Sequence, residues 1–363
     1  MSHAKKRQPG LVASRQLRDL LFRLPKIDLH RHLEGSLRLS TLAEIASEHA
    51  VDLPSWTLEE LRPYVQVVDD PPDFHGFLAK FKLLRRFYSS REAVMRVAYE
   101  AVVDAAADNI RYLELRFNPV ALSLSQGFSF EDVMDWVIEA VQKAQDEHPI
   151  QTRLIIQMNR HEPQYAWELA ELAVANKQRG VVALDVAGDE VNYPITDFVP
   201  VFQWAKTQGL HITAHAAEAG PPANIKEAVE LLGAERIGHG VRAMEDLNML
   251  DLLNRLQIPL EMCPTSNLQT GIIPRLAQHP LYSFYRIGIP VTINTDDPSI
   301  SNITLTDEYE VSVRGVGVPL AVLPDIVMNA ARAAFLPPAE KEHLVQWFAQ
   351  TLPQYITSAE INV

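Results

Sequence analysis

Two histidines, His30 and His32, stand two residues apart where an apolar run beginning at Lys26 comes to its end. In extended chain, successive side chains alternate faces, so two such imidazoles share a face and can reach one ion. Alone, a pair like this is more commonly a surface or core pair. Further candidates follow other apolar runs: His215 with Glu218 three residues on, His239, and the pair Asp296-Asp297. Imidazole nitrogen and carboxylate oxygen suit zinc, and a catalytic zinc keeps one position open for water. Each candidate also has an ordinary reading. Asp296-Asp297-Pro298 is turn chemistry, Glu218 fits a helix N-terminus, and His239 could be a hydrogen-bonded core histidine.

What decides between these readings is the set of elements that carry the residues. Eight apolar, β-branched runs have strand length: Lys26–His30, Ile110–Phe117, Arg153–Met158, Val181–Ala187, His211–Ala216, Arg236–Gly240, Ile258–Cys263 and Pro290–Asn294. Several are almost continuously apolar, as parallel strands covered on both faces are. Helical periodicity lies between them, with Val133, Val137, Val141 and Ala144 marking one apolar stripe over 131–148. Segments 165–179, 200–208, 225–232 and 244–256 read likewise, and Gly180, Gly209 and Gly233 sit where helix C-caps belong. Strand and helix alternating eight times predict a (β/α)8 TIM barrel. It carries a helical insertion after strand 1, over 39–108, and extra C-terminal helices over 319–335 and 339–348. The expected division is a flexible leader over 1–20 and a single barrel domain over 21–363.

In such a barrel the strands' carboxyl ends form the active rim. Strand 1 ends in His30-Arg31-His32, strand 4 runs into Gly188-Asp189-Glu190, and strand 5 ends in His215 through Glu218. Strand 6 ends in His239-Gly240 and strand 8 in Asp296-Asp297. The barrel therefore brings distant residues to one rim, which favours a metal held by His30, His32, His215 and Asp296.

Composition narrows the alternatives. The formal net charge is −13, which disfavours a nucleic-acid partner. The basic run Lys5-Lys6-Arg7 reads as a solvated terminus. A single cysteine, Cys263, excludes a disulfide framework and reads as a small buried apolar residue. No apolar stretch approaches about 18 residues, so no membrane partner is expected, and a cytoplasmic location is the default.

The same segments resemble a known family. The stretch Pro25-Lys26-Ile27-Asp28-Leu29-His30-Arg31-His32-Leu33-Glu34-Gly35-Ser36-Leu37 is similar to the opening motif of the adenosine/adenine/AMP deaminase family of the amidohydrolase superfamily. So are Glu114-Leu115-Arg116-Phe117-Asn118-Pro119, Asp185-Val186-Ala187-Gly188-Asp189-Glu190, and His215-Ala216-Ala217-Glu218-Ala219-Gly220. Arg236-Ile237-Gly238-His239-Gly240, Cys263-Pro264-Thr265-Ser266-Asn267 and Asn294-Thr295-Asp296-Asp297-Pro298 complete the set, in the family's order. The resemblance implies one zinc ion on His30, His32, His215 and Asp296, with a water whose pKa falls toward about 7. His239 would orient and deprotonate that water. Glu218 would protonate N1 of a purine attacked at C6, Asp297 would hold N7, and the Gly188 N–H would hold N3. Phe77 and Phe81 resemble the family's helical lid over the pocket, although core aromatics show the same spacing. Strand 4 has no lysine to bridge a second metal.

Glu34 stands where adenosine deaminases usually carry Asp, the residue that meets the ribose 5′-hydroxyl; Glu is the adenine-deaminase habit. Ala217 replaces a glycine, and Val241-Arg242 an aromatic pair. The expected function is hydrolytic deamination of adenosine or 2′-deoxyadenosine, the partner being a small purine nucleoside or base. Adenine or another N6-substituted aminopurine nucleoside is the alternative within the same chemistry. A metal-dependent ester or amide hydrolase is the more remote one, and it would leave Glu218 and Asp297 without roles.

Overall fold

The structure is a computed structural model that describes residues 9–49, 51, 54, 55 and 57–355, with side chains from Arg15 onward. Eight parallel strands follow one another around a single sheet in chain order. They are β1 (Lys26–His32), β2 (Ile110–Phe117), β3 (Gln151–Asn159), β4 (Val181–Ala187), β5 (His211–Ala216), β6 (Arg236–His239), β7 (Leu260–Met262) and β8 (Val291–Ile293). The ring closes beyond β8, where Asp296 bridges in parallel to Arg31. There the Asp296 N–H donates to the His30 carbonyl at 2.8 Å, and the His32 N–H donates to the Asp296 carbonyl at 2.9 Å.

The strands are buried along almost their whole length, as their apolar runs require. The helix Phe130–Glu147 seats the expected stripe of Val133, Val137, Val141 and Ala144 inward, and the Ser129 hydroxyl accepts from the Asp132 N–H to start it. Gly180 and Gly233 are left-handed, at φ +102° and +74°. They stop the chain turning further and release it into β4 and toward β6.

Several boundaries differ from expectation for identifiable reasons. β1 runs two residues further, so both histidines belong to the strand itself. β7 and β8 shrink to three residues each, starting late because Pro259 and Pro290 precede them and ending one residue early, at Met262 and Ile293. Proline has no N–H for the ladder. Both prolines still accept there, from Ile237 and Leu260. The segment expected to be one helix over 225–232 changes pitch at Ala228 to a wider turn. The C-terminal helices run Leu323–Ala333 and Pro338–Thr351. Of the leader expected over 1–20, residues 1–8 lie outside the described residues, whereas Pro9–Arg23 is a helix with Leu20 and Leu21 buried.

The insertion after β1 is a chain of short helices, including Phe74–Ala79 and Phe81–Leu84. It ends in the long helix Arg91–Ala107, which packs beside Phe130–Glu147. Among the described residues, no helix is long and apolar enough to cross a membrane.

Candidate metal centre and active site

β1 presents His30 and His32 on one side, and both rings are anchored from behind. His30 Nδ1 lies 2.7 Å from the Glu261 carboxylate, and His32 Nδ1 lies 2.6 Å from Gln157 Oε1. Each Nδ1 faces an acceptor and therefore carries the proton, which leaves each Nε2 a bare lone pair. The two Nε2 atoms face each other at 3.3 Å. Asp296 Oδ1 closes on both, at 3.2 and 3.1 Å. Two ring nitrogens and a carboxylate oxygen aimed at one point fit a cation. His215 joins from β5, its Nδ1 3.2 Å from Asp185 Oδ1. Ligand atoms of His30, His215, His239 and Asp296 lie within 4.8 Å of one another, and those of His32, Asp296 and Asp297 do likewise. This His/Asp group could hold a metal ion.

The packing that allows this convergence is tight. A Cβ on Gly238 would lie 2.9 Å from His30 Cε1 and 3.3 Å from the His215 ring, so only glycine lets the two imidazoles approach. His239 and Asp296 both hold left-handed backbone, at φ +61° and +62°. For non-glycine residues this is strained, and the surrounding contacts must impose it.

Below the ligands lies a layer of buried charge. Arg116 bridges Asp185 and Glu261 at 2.8 Å to each. Arg236 donates to Glu261 at 2.6 Å and also to Glu114. Asp185 and Glu261 thus orient His215 and His30 while being held in place themselves, the usual architecture behind metal-binding histidines. Gln157, Glu261 and Arg116 were given no role from the sequence. For Gln157 and Glu261 the available signal was a single polar residue between apolar neighbours, and for Arg116 a charged residue alternating with apolar ones in a strand run.

Above the ligands opens a pocket lined by, among others, Glu34, Phe77, Phe81, Gly188, Glu218 and Asp297. Phe77 and Phe81 sit edge-on, with centroids 6.5 Å apart, so this aromatic pair forms a pocket wall. Gly188, at φ +96°, closes the end of β4. Glu218 Oε1 lies 3.8 Å from His239 Nε2. Burial, reinforced by Asp296 and Glu190, pushes the Glu218 carboxyl well above the usual carboxylate range. Burial and the neighbouring Asp296 do the same to Asp297. Both are therefore set up as proton-bearing groups.

Of the two acidic residues expected at the rim after β4, Asp189 lines the pocket and Glu190 does not, and both brace backbone. The Glu190 carboxylate turns from the ligands and accepts from the N–H groups of Ala217, Glu218 and Gly220 at 2.9, 2.7 and 2.7 Å. It fixes the loop that carries Glu218. Asp189 accepts from the N–H groups of Val191 and Asn192, capping its own turn. Glu34 spans both worlds: Oε1 accepts from the Asn118 N–H at 2.7 Å, while Oε2, buried, has no partner. Asp297 Oδ1 and Asn118 Nδ2 are likewise buried and unpartnered. Such orphans are costly unless a ligand satisfies them. Cys263 is fully buried, away from any nucleophilic role.

With this geometry in view, the relatives agree on chemistry. The family model described as adenosine deaminase matches residues 25–351. The chain is 39% identical over 327 residues to adenosine deaminase of Klebsiella pneumoniae (strain 342), covering 90% of this chain and 98% of the relative. A crystal structure of adenine deaminase from Arthrobacter aurescens superposes with TM-score 0.83 at 28% identity, covering 90% of this chain and 98% of that one. N6-methyl-AMP deaminase from Arabidopsis thaliana gives TM-score 0.81 at 29% identity, over 93% and 99%. The barrel, the converging His/Asp group and the matched span lead to one conclusion: this chain belongs to the adenosine deaminase family.

Proposed function

We propose that the chain hydrolyses the C6–N6 bond of adenosine and 2′-deoxyadenosine, releasing ammonia and the inosine-type product, with one zinc ion held by His30, His32, His215 and Asp296. The observation that carries this reading is the convergence of the His30 and His32 Nε2 atoms and Asp296 beneath a pocket in which burial pushes the carboxyls of Glu218 and Asp297 well above the usual carboxylate range. Three imidazoles and one carboxylate form a donor set suited to zinc. Bound there, zinc supplies the Lewis acidity that makes water nucleophilic at neutral pH.

The chain's own residues then divide the work. Water attacks C6 while Glu218 gives its proton to N1, relieving charge that would build on the ring. Purine N7 accepts only, so its partner Asp297 must donate, which the raised pKa of that carboxyl allows. The Gly188 N–H meets N3. Phe77 and Phe81 cover the purine face and keep bulk water from the reacting carbon. His239 faces the attacking oxygen. The unpartnered Glu34 Oε2 is the acceptor nearest to hand for a sugar hydroxyl or a ring N–H.

A second reading takes adenine, or another N6-substituted aminopurine, as the preferred substrate. Glu34 favours it: one methylene longer than Asp, the side chain reaches further while still tied to Asn118. Metal-loaded protein incubated separately with adenosine, deoxyadenosine, adenine and AMP, followed by loss of absorbance at the aminopurine maximum, separates the two. Fastest turnover of the nucleosides supports the first reading and adenine alone the second. Inactivity on all four would overturn the first reading, and inactivity on N6-methyladenosine as well would overturn the second.

A further inference from the structure

Behind His239, on the side away from the pocket, a chain of hydrogen bonds runs to the backbone. Its far end is the N–H of Leu281, which donates to His279 Nδ1 at 3.2 Å. This N–H opens the helix Leu281–Arg286, where the first amides have no partner within the helix. A backbone N–H can only donate, so His279 Nδ1 must accept and the proton of this ring sits on Nε2. His279 Nε2 lies 3.1 Å from Asn267 Oδ1 and therefore donates to it. That contact settles which end of the Asn267 amide is oxygen. Asn267 Nδ2, the donor end, lies 3.1 Å from His239 Nδ1. His239 Nδ1 must then accept, which leaves the proton of His239 on Nε2, the atom that faces Glu218 and Asp296 at 3.8 Å to each.

We propose that Leu281, His279 and Asn267 form a one-way relay that locks His239 as the Nε2–H tautomer, so that His239 donates to the attacking oxygen and does not take its proton. His279 and Asn267 are positioning residues; neither reaches the pocket's reacting atoms. The relay is built for permanence. His279 is 4% exposed, and burial alone pushes its pKa down to about 3, so the ring stays neutral and directional at any working pH. Asn267 is fully buried, and its main-chain carbonyl is held by the Ile273 N–H.

The arrangement also separates His239 from the four ligands. Its Nε2 lone pair is blocked by the proton, whereas His30 and His32 offer theirs because their Nδ1 atoms are the proton-bearing ones. Three ring orientations are thus set by three different partners: a carboxylate, an amide oxygen and an amide N–H.

With His239 a donor, the water's two protons leave through Glu218. One restores the proton given to N1, and the other restores the proton given to the departing amine. Glu218 ends the cycle protonated, as it began.

This proposal rests on the reading of His239 as facing the reacting oxygen, and the two can be tested apart. Nitrogen-15 histidine NMR on the metal-loaded protein reads the tautomer directly. The proposal requires a protonated Nε2 and a bare Nδ1 at His239; a proton on Nδ1 overturns it. Asn267→Leu keeps roughly the volume of the side chain but offers neither donor nor acceptor, removing the last link. In the metal-loaded variant, kcat should fall on the order of 10²-fold with KM little changed, the scale of losing one aimed donor. Unchanged kcat would overturn the proposal. His279→Leu should fall in the same direction, and His279→Gln, which still donates to Asn267, should recover most of the loss. If His239→Ala keeps full turnover, the placement of His239 at the reacting oxygen fails, while the NMR result still stands for the relay.

Discussion

Two regions of this barrel hold buried charge, and they treat it oppositely. In the layer beneath the ligands, all six carboxylate oxygens of Glu114, Asp185 and Glu261 accept from named donors: Tyr112, Phe335 N–H, Arg116, Arg236, Thr213, His30 and His215. In the pocket above, Glu34 and Asp297 each leave an oxygen unpaired, and Asn118 leaves its amide nitrogen so. Complete pairing of these carboxylates makes the lower layer a rigid support, with only Arg116 Nε left unpartnered among its charged groups. The upper layer leaves these atoms unpaired, at a cost to folding stability that a bound ligand would offset.

That contrast predicts which property each substitution should damage. The largest effect belongs to Glu218→Gln, which keeps shape and removes the transferable proton. Turnover should fall about 10²–10⁴-fold, the span of general acid catalysis, with metal content by elemental analysis unchanged. Full activity in this variant would remove Glu218 from the chemistry. Next comes Arg236→Met in the lower layer, which leaves Glu114 without its cation and Glu261 with Arg116 alone, at a cost of about 3–5 kcal/mol in chemical denaturation. The kcat/KM of the protein that remains folded should hold. A catalytic defect without a stability defect would break the distinction drawn here. Glu34→Asp should do the reverse, shifting the adenosine-to-adenine preference in kcat/KM by roughly 10–100-fold at unchanged stability.

The smallest effect tests the boundary between the layers. Glu308 is fully buried beside the Thr265 N–H, and burial raises its pKa from 4.5 to about 8. A raised carboxyl favours the folded state while protonated, so its contribution is complete below pH 4.5 and is lost as pH rises through about 8. Glu308→Gln should therefore flatten that decline and exceed the parent in stability at alkaline pH by about 1 kcal/mol. Parallel stability–pH curves for the two proteins would refute the assignment.

Much of this molecule was legible in its residue order, for a physical reason. Parallel strands covered on both faces must be apolar, so their runs stand out. A barrel's rim also follows from where those runs end, which is how His215 and Asp296 could be joined to His30 and His32. What stayed hidden depends on contacts between elements far apart in the chain. Nothing in the spacing of Asn267 and His279 says that they touch, nor that Leu281 fixes their direction. Glu190 shows the converse: its type and position suited the rim, but three backbone amides of the following strand's loop claim its carboxylate. Local runs also overstated β7 and β8, because an apolar residue beyond a proline still reads as strand although the ladder has lost a donor.

The bridge between Arg31 and Asp296 has a consequence for how the protein is made. Two of the proposed ligands come from the first strand and another from the turn after the last, so the binding site is assembled across the seam where the ring shuts. A nascent chain emerging from the ribosome carries His30 and His32 early, yet lacks Asp296 until nearly the whole barrel has been synthesised. Loading of the proposed metal would therefore come late in biogenesis. A bound ion would act as the clasp of a bracelet, fastening the two ends of the sheet only after every link is in place.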